Sequence, residues 1–211
     1  MPPLTFPELD RLGLPHCFTL RQNRLEPVTA NVGGVLALHG FDFRLIVQSE
    51  QTHGAEVARV DRAHHGTTVP FVDALISNDP TVTLVIRVAD CGPLFLYDPT
   101  HQAIALAHSG KKGTASNIAQ ATLSAMHRHF GTKPEDIVAV LGPCIHPPDY
   151  EIDFPAQIED QLRLAGVVQF RDCGMNTAQD QIKFYSYRKE QGKTGRHFAA
   201  LQLPTGSVSF T

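Results

Sequence analysis

No apolar run in this sequence approaches the roughly 18 residues needed to cross a bilayer, which excludes a helical membrane span. Neither sign of charge dominates. The formal net charge is -3, so no basic field exists to draw in nucleic acid or an anionic membrane surface. The first residues, Met1-Pro-Pro-Leu-Thr-Phe-Pro7, have neither the basic nor the apolar region of a secretory signal, and a cytoplasmic protein is the expectation. The four cysteines (Cys17, Cys91, Cys144, Cys173) form no CxxC pair. In a reducing compartment they are expected as free thiols rather than as a disulfide framework. Two catalytic signatures are also missing. No GxSxG elbow surrounds Ser109, and no register of the glycines after His108 fits GxxxxGK[ST], which sets aside a serine hydrolase and a Walker-type phosphate loop. With no linker and no internal repeat, residues 1–211 are expected to form a single domain, long enough to bury a sizeable core.

What the chain does have is a succession of short β-rich runs. Residues 1–40 carry Pro and Gly every few positions and read as irregular structure with short strands. Strands are expected at 43–48, 81–88, 94–97, 103–107 and 137–141, then around 167–171, 182–187 and 197–203. The run Thr81–Val88 is apolar on nearly every residue towards its end, as a strand buried on both faces would be. One clear helix is expected from about 114 to 129, with an apolar stripe of Ile118, Ala121, Ala125 and Met126 and a stop at Gly131. A weaker helix follows from about 154 to 164. These patterns give an α+β or mixed α/β sandwich.

The informative residues sit where buried strands end, positions at which rigid scaffolds commonly hold reactive groups. Gln51-Thr-His-Gly54, Ala89-Asp-Cys-Gly-Pro93, Ala107-His-Ser-Gly110 and Leu141-Gly-Pro-Cys-Ile145 are the four stretches concerned. One Cys and two His with a fourth position left open make a catalytic zinc site, so His53, Cys91 and His108 are candidate metal ligands. Their separations fit no zinc-finger spacing. A core cysteine and turn histidines are the bland alternative. Cys91 with His53 or His108 and an acidic orienter such as Asp90 would equally suit a cysteine hydrolase. Of the eleven histidines, His64 and His65 lie in a polar stretch, and His127 and His129 come late in the expected helix, where a cation suits the dipole.

Two further clusters have binding character. Gly110, Lys111, Lys112, Gly113 and Thr114 stand where a helix begins, with free N–H groups and two cations that could attract an anion. Phe184-Tyr-Ser-Tyr-Arg188 and Gly192-Lys-Thr-Gly-Arg196 place aromatic rings near arginines, suited to planar rings and to carboxylates or phosphates. An edge hairpin with a glycine turn is the competing reading.

Taken together, Gln51-Thr-His-Gly54, Val72-Asp-Ala-Leu75, Ala89-Asp-Cys-Gly-Pro93 with Asp98-Pro99, Ala107-His-Ser-Gly110, Gly142-Pro-Cys-Ile145 with Tyr150-Glu151, and Phe184–Arg188 with Thr194-Gly-Arg196 resemble, in this order, the laccase-domain family. That family is also called multicopper polyphenol oxidase or peptidoglycan editing factor. The resemblance implies a four-layer α/β/β/α sandwich related to the catalytic domain of cytotoxic necrotizing factor. It implies that His53, Cys91 and His108 hold one metal, zinc, with copper as the alternative. It also implies a purine nucleoside enzyme, phosphorolysing adenosine, inosine and methylthioadenosine and deaminating adenosine. On this reading Cys91, His53, His108 and Asp90 are the catalytic set, and Glu151 is an alternative proton carrier. Lys111, Lys112, Arg188 and Arg196 would face phosphate or ribose, and Tyr185 and Tyr187 the purine.

The departures fall around the substrate. Where the family has Ala-Gly-Trp-Arg-Gly, this chain has Ser109-Gly-Lys-Lys-Gly113, losing a flat apolar surface and a bidentate donor. Gly92 replaces a leucine, the segment between Glu151 and Cys173 is short, and the family's N-terminal motif is faint around Ala30-Asn-Val-Gly33. A cysteine hydrolase, a copper-dependent phenol oxidase and a non-catalytic ligand-binding member remain alternatives. Only His127-Arg-His129 offers the HxH pairing a multicopper site uses. Nothing in these patterns sets an oligomeric state.

Overall fold

A computed structural model describes residues 1–21 and 32–204; Ala30 and Asn31 of the N-terminal motif lie outside the described residues. The elements run α1 (Pro7–Asp10), β1 (His16–Phe18), α2 (Val32–Ala37), β2 (Ile46–Ser49), β3 (Val57–Arg59), β4 (Thr68–Val69), β5 (Ala74–Ser77), β6 (Thr83–Val88), β7 (Gly92–Asp98), β8 (Ala103–Ser109), α3 (Lys111–Ala115), α4 (Ile118–Phe130), β9 (Val138–Leu141), α5 (Phe154–Leu164), β10 (Gln169–Asp172) and β11 (His197–Gln202). They make a sheet-rich, mixed α+β fold with two sheets, ordered β1-β11-β6-β2-β4 and β10-β9-β7-β8-β5-β3. Among the described residues no helix is long and apolar enough to cross a membrane.

Side chains on successive strand residues point to opposite faces, and this sequence uses that alternation to build its layers. Along β7, Phe95 and Tyr97 join an apolar cluster with Leu84, Ile86 and Leu201 of the five-stranded sheet, which fills the space between the sheets. Their neighbours Leu94 and Leu96 turn the other way, onto α4 and α5 through Ile118, Leu123, Ile158 and Leu162. In β8 the helix-facing positions are Ala103, Ala105 and Ala107, whose small side chains let α4 approach closely, whereas Ile104 and Leu106 face the second sheet. A third cluster joins Leu36 and Phe41 to Ile46, Val85 and Phe198 on the outer face of the five-stranded sheet. Each large apolar side chain buried in this way contributes about 1.5–3 kcal/mol.

Most expected strands appear within a residue or two, and the helix at Phe154–Leu164 has the expected limits. Three differences have local causes. Residues Phe43–Leu45 form a short 3-10 helix before β2, started by the Asp42 carboxylate accepting from Arg44 N. The helix expected over 114–129 is two helices, α3 and α4, separated by Asn117 in the left-handed region (φ 61). Gln161 of α5 donates to the Thr114 carbonyl at 2.8 Å, taking an acceptor that a continuous helix would need. Residues 182–187 form no strand, and the expected hairpin is a series of turns. There Asp180 accepts from Ile182 N and Lys183 N, and Asp90 from Ser186 Oγ and Arg188 N. Side-chain acceptors therefore satisfy groups that would otherwise join a ladder.

Candidate metal centre

Strand register brings the site together. β7 and β8 pair antiparallel with Gly92 opposite Ser109 and Pro93 opposite His108, so the start of one strand and the end of the other share an edge of the six-stranded sheet. Cys91 and His108 meet there. β5 pairs with β8 on the other side, Ala74 opposite Ala107, which places Asp73 against His108. The third residue, His53, arrives from the other sheet on the loop after β2.

Asp73 holds these pieces in place. Its carboxylate is fully buried and accepts from Thr52 N (3.1 Å), Thr52 Oγ1 (3.0 Å), His53 N (2.9 Å), Gly54 N (2.7 Å) and His108 Nδ1 (2.8 Å). An ionised carboxylate offers about four lone-pair sites, so this group is saturated and acceptor-only. Burial by itself would raise its pKa; the hydrogen bonds from His108 and Gly54 outweigh that and hold it well below the usual carboxylate range. With Nδ1 of His108 bound to Asp73, Nε2 is the nitrogen left to face Cys91 and His53. The same wrapping holds His53 at φ 63, a conformation that non-glycine residues adopt only when their surroundings impose it.

The ligand atoms of His53, Cys91 and His108 all lie within 4.8 Å of one another, and the two imidazole rings sit edge to face with centroids 4.8 Å apart. Burial pushes the Cys91 thiol up, but hydrogen bonds from His108 and His53 reverse this and bring it down. His108 shows the mirror image. Its burial favours the neutral ring, while Asp73 and Cys91 raise its pKa. A thiolate stabilised by two imidazoles is the protonation state a metal ligand requires. Space is reserved for it: a Cβ on Gly110 would collide with Cys91 Sγ.

The other expected site residues divide into two groups. Asp90 turns away from His108; its carboxylate accepts from Thr177 Oγ1 (2.7 Å), Ser186 Oγ (3.1 Å) and Arg188 N (2.7 Å), which pins the 177–188 segment beside Cys91. The acid that orients a histidine is Asp73 instead. Tyr185 is only 9% exposed, its ring covered by the Arg21 guanidinium at 4.5 Å and packed against His197, so it belongs to the wall and not to an open face. Tyr187 is 55% exposed, with Arg196 over its ring at 5.7 Å. Arg188 donates to Glu151 at 2.8 Å and lies over the Tyr150 ring at 5.4 Å. Lys111 and Lys112 are exposed at the start of α3. Sequence reasoning gave no role to Asp73 or Tyr150. For Asp73 a signal existed: a carboxylate directly before the wholly apolar start of a strand is costly to bury unless something binds it.

One thiol and two imidazoles gathered at a sheet edge, with a carboxylate behind one imidazole, make a group that could hold a metal ion in a mixed α+β fold. Comparison with known proteins gives the family. The model of the multi-copper polyphenol oxidoreductase laccase family matches residues 19–157 and 149–204, and the chain belongs to this family. It is 31% identical to a purine nucleoside phosphorylase of Deinococcus radiodurans, over 96% of this chain and 94% of that protein. It is 29% identical to purine nucleoside phosphorylase YlmD of Bacillus subtilis, over 74% and 69%. Its fold matches hypothetical protein YfiH of Bacillus licheniformis (TM-score 0.86, 23% identity, 97% of both chains) and YlmD of Geobacillus stearothermophilus (TM-score 0.83, 24% identity, 94% of both chains).

Proposed function

We propose that this chain is a zinc-dependent purine nucleoside enzyme that phosphorolyses adenosine, inosine and methylthioadenosine and deaminates adenosine. The observation that carries the reading is the convergence of His53, Cys91 and His108 within 4.8 Å, with Asp73 fixing His108. Relatives named purine nucleoside phosphorylase support the substrate class. The donor set suits zinc, which takes thiolate and imidazole together. Copper is the less fitting alternative, because the described residues bring together no histidine cluster of the kind several coppers would need. Zinc held there supplies a Lewis acid beside the nucleoside.

The chain's own groups do the rest. Asp73 keeps the His108 proton on Nδ1 and the ring in position. Lys111 and Lys112, exposed at the start of α3 just after His108, are the cations offered to phosphate, and Arg188 and Arg196 add charge among the turns that follow Asp180. Glu151, already bonded to Arg188, is the better-placed proton carrier, because the Asp90 carboxylate is occupied by three donors. The reading includes a single domain over 1–211, a cytoplasmic setting and a four-layer α/β/β/α arrangement related to the cytotoxic necrotizing factor catalytic domain. The three apolar clusters support the layer count.

Purified protein should carry about one zinc per chain by elemental analysis. Phosphate-dependent cleavage of adenosine should disappear in Cys91→Ala; zinc-free protein with full activity would sink the proposal. A second reading rests on the Cys91, His108 and Asp73 arrangement, which is also that of a cysteine hydrolase. It predicts activity that iodoacetamide abolishes and a chelator leaves untouched. A non-catalytic member would bind nucleoside without turning it over.

A further inference from the structure

The three candidate ligands come from three chain segments, and each pair of segments needs a tie that fixes its separation. Two ties are already described. Strand register sets Cys91 near His108, with Pro93 opposite His108. Asp73 binds the loop at 52–54 to His108 Nδ1. The remaining pair is His53 and Cys91. His53 is exposed whereas His108 is buried, so this side of the triangle has the least packing to hold it.

His53 follows β2 and Cys91 follows β6, and these two strands are parallel neighbours. Their backbone pairing stops early. Gln48 opposite Val85 is the last matched pair, although β6 runs on to Val88. Beyond that point Glu50 N donates to the Val69 carbonyl on the β4 side. The Gln51 side chain takes over towards β6. Arg87 N donates to Gln51 Oε1 at 3.2 Å, and Gln51 Nε2 donates to the Arg87 carbonyl at 2.5 Å. The amide thus stands in for a strand residue and carries the ladder past its last backbone pair. This role needs a donor and an acceptor side by side. Glutamate lacks the donor, and asparagine is one methylene short. Gln51 lies two residues before His53, and Arg87 four residues before Cys91. Among the described residues, no other hydrogen bond joins residues 50–52 to residues 87–90.

Resting on the metal centre of the proposed function, we infer that Gln51 is a positioning residue: its amide sets the His53–Cys91 separation by locking the His53 loop onto the strand that delivers Cys91. It acts through His53 and touches neither metal nor nucleoside. With the amide removed, the loop stays bound to Asp73 but loses its hold on β6. The exposed imidazole is then offered to the ion from a spread of positions instead of one.

The test is metal binding by the full chain, read without turnover. Zinc affinity is measured by competition with a chromophoric chelator, alongside the absorption spectrum of the cobalt(II)-substituted protein and the thermal midpoint with and without zinc. In Gln51→Ala zinc affinity should fall about 10–100-fold. Gln51→Glu should behave alike, since it keeps the acceptor but sets a carboxylate against the Arg87 carbonyl. The thiolate-to-cobalt band should persist, because Cys91 is untouched, while the d–d bands weaken as water takes the place of His53. The metal-free midpoint should drop by no more than about 2–4 °C, and the stabilisation conferred by zinc should shrink. Gln202→Ala is the control. Gln202 accepts from Thr83 Oγ1 and donates to the Pro80 carbonyl at the opposite end of β6, so its loss should leave zinc affinity at the wild-type value. Wild-type affinity and spectrum in Gln51→Ala, or an equal loss in Gln202→Ala, would overturn the inference and leave the metal centre standing. Gln51-dependent zinc binding in a protein that turns over no nucleoside would uphold the inference and remove the phosphorylase reading. A wild-type protein that binds neither zinc nor cobalt through Cys91 would overturn both.

Discussion

At the scale of single residues, the site depends on one carboxylate as much as on its ligands. Asp73 ties the loop at 52–54 to His108, so its replacement should act on both. In Asp73→Asn the amide nitrogen is turned against at least one N–H donor, leaving buried donors unpaired. Zinc affinity is expected to fall about 10–100-fold, read by competition with a chromophoric chelator. Unchanged affinity would mean that the strands alone position His108. His53, Cys91 and His108 were legible in the sequence because each stands beside glycine or other small residues where an apolar run stops. Whether they met in space was not legible, since one comes from a different sheet and only register brings it over. Asp90 misled for a physical reason. It neighbours Cys91 in the chain, but its side chain points to the 177–188 segment, and chain proximity says nothing about which partner a carboxylate finds.

At the scale of elements, the sequence was most legible where β-branched and apolar residues run on, as in β6, β7, β8 and β9. It was least legible where polar side chains replace backbone partners. The turns of 174–196 contain aromatic residues that favour strands, but Asp180, Asp90 and the His197 ring capture their N–H groups. The break between α3 and α4 is of the same kind. Asn117 holds the left-handed conformation that lets α4 start in a new direction over β8. A β-branched residue there should be strained. Asn117→Val is expected to lower stability by about 1–2 kcal/mol, whereas Asn117→Gly should stay within about 0.5 kcal/mol of wild type. Thermal denaturation measures both, and equal midpoints for the two variants would show that the break is not set at this residue.

At the scale of the whole molecule, two buried histidines set the acid limit of stability. His197 Nδ1 donates to the Thr19 carbonyl and its Nε2 accepts from Tyr185 N, each at 2.7 Å. His16 repeats the arrangement, donating to the Leu14 carbonyl and accepting from Phe6 N. Both are held neutral. Burial is the leading cause, lowering His16 and bringing His197 down to about 4. Between that value and the ordinary 6.5, the unfolded chain binds the proton and the folded one does not, so stability rises with pH across this window. The contribution of His197 is fully present above about pH 6.5 and is lost as pH falls through about 4. Its size is on the order of 3 kcal/mol. Urea unfolding between pH 7 and pH 4 should show this slope, and His197→Gln should flatten it.

The order of strands in the five-stranded sheet has a consequence for how the protein is made. β11 lies between β1 and β6, so the last strand of the sheet enters its middle. All three candidate ligands precede residue 109, and the six-stranded sheet is complete at Asp172. A ribosome working at about 5–20 residues per second would therefore finish the stretch that carries His53, Cys91 and His108 seconds before it delivers the strand that joins the two parts of the other sheet. During that interval the inner edges of β1 and β6 are unpaired, and a nascent chain with its six-stranded sheet already formed would still need protection from other chains.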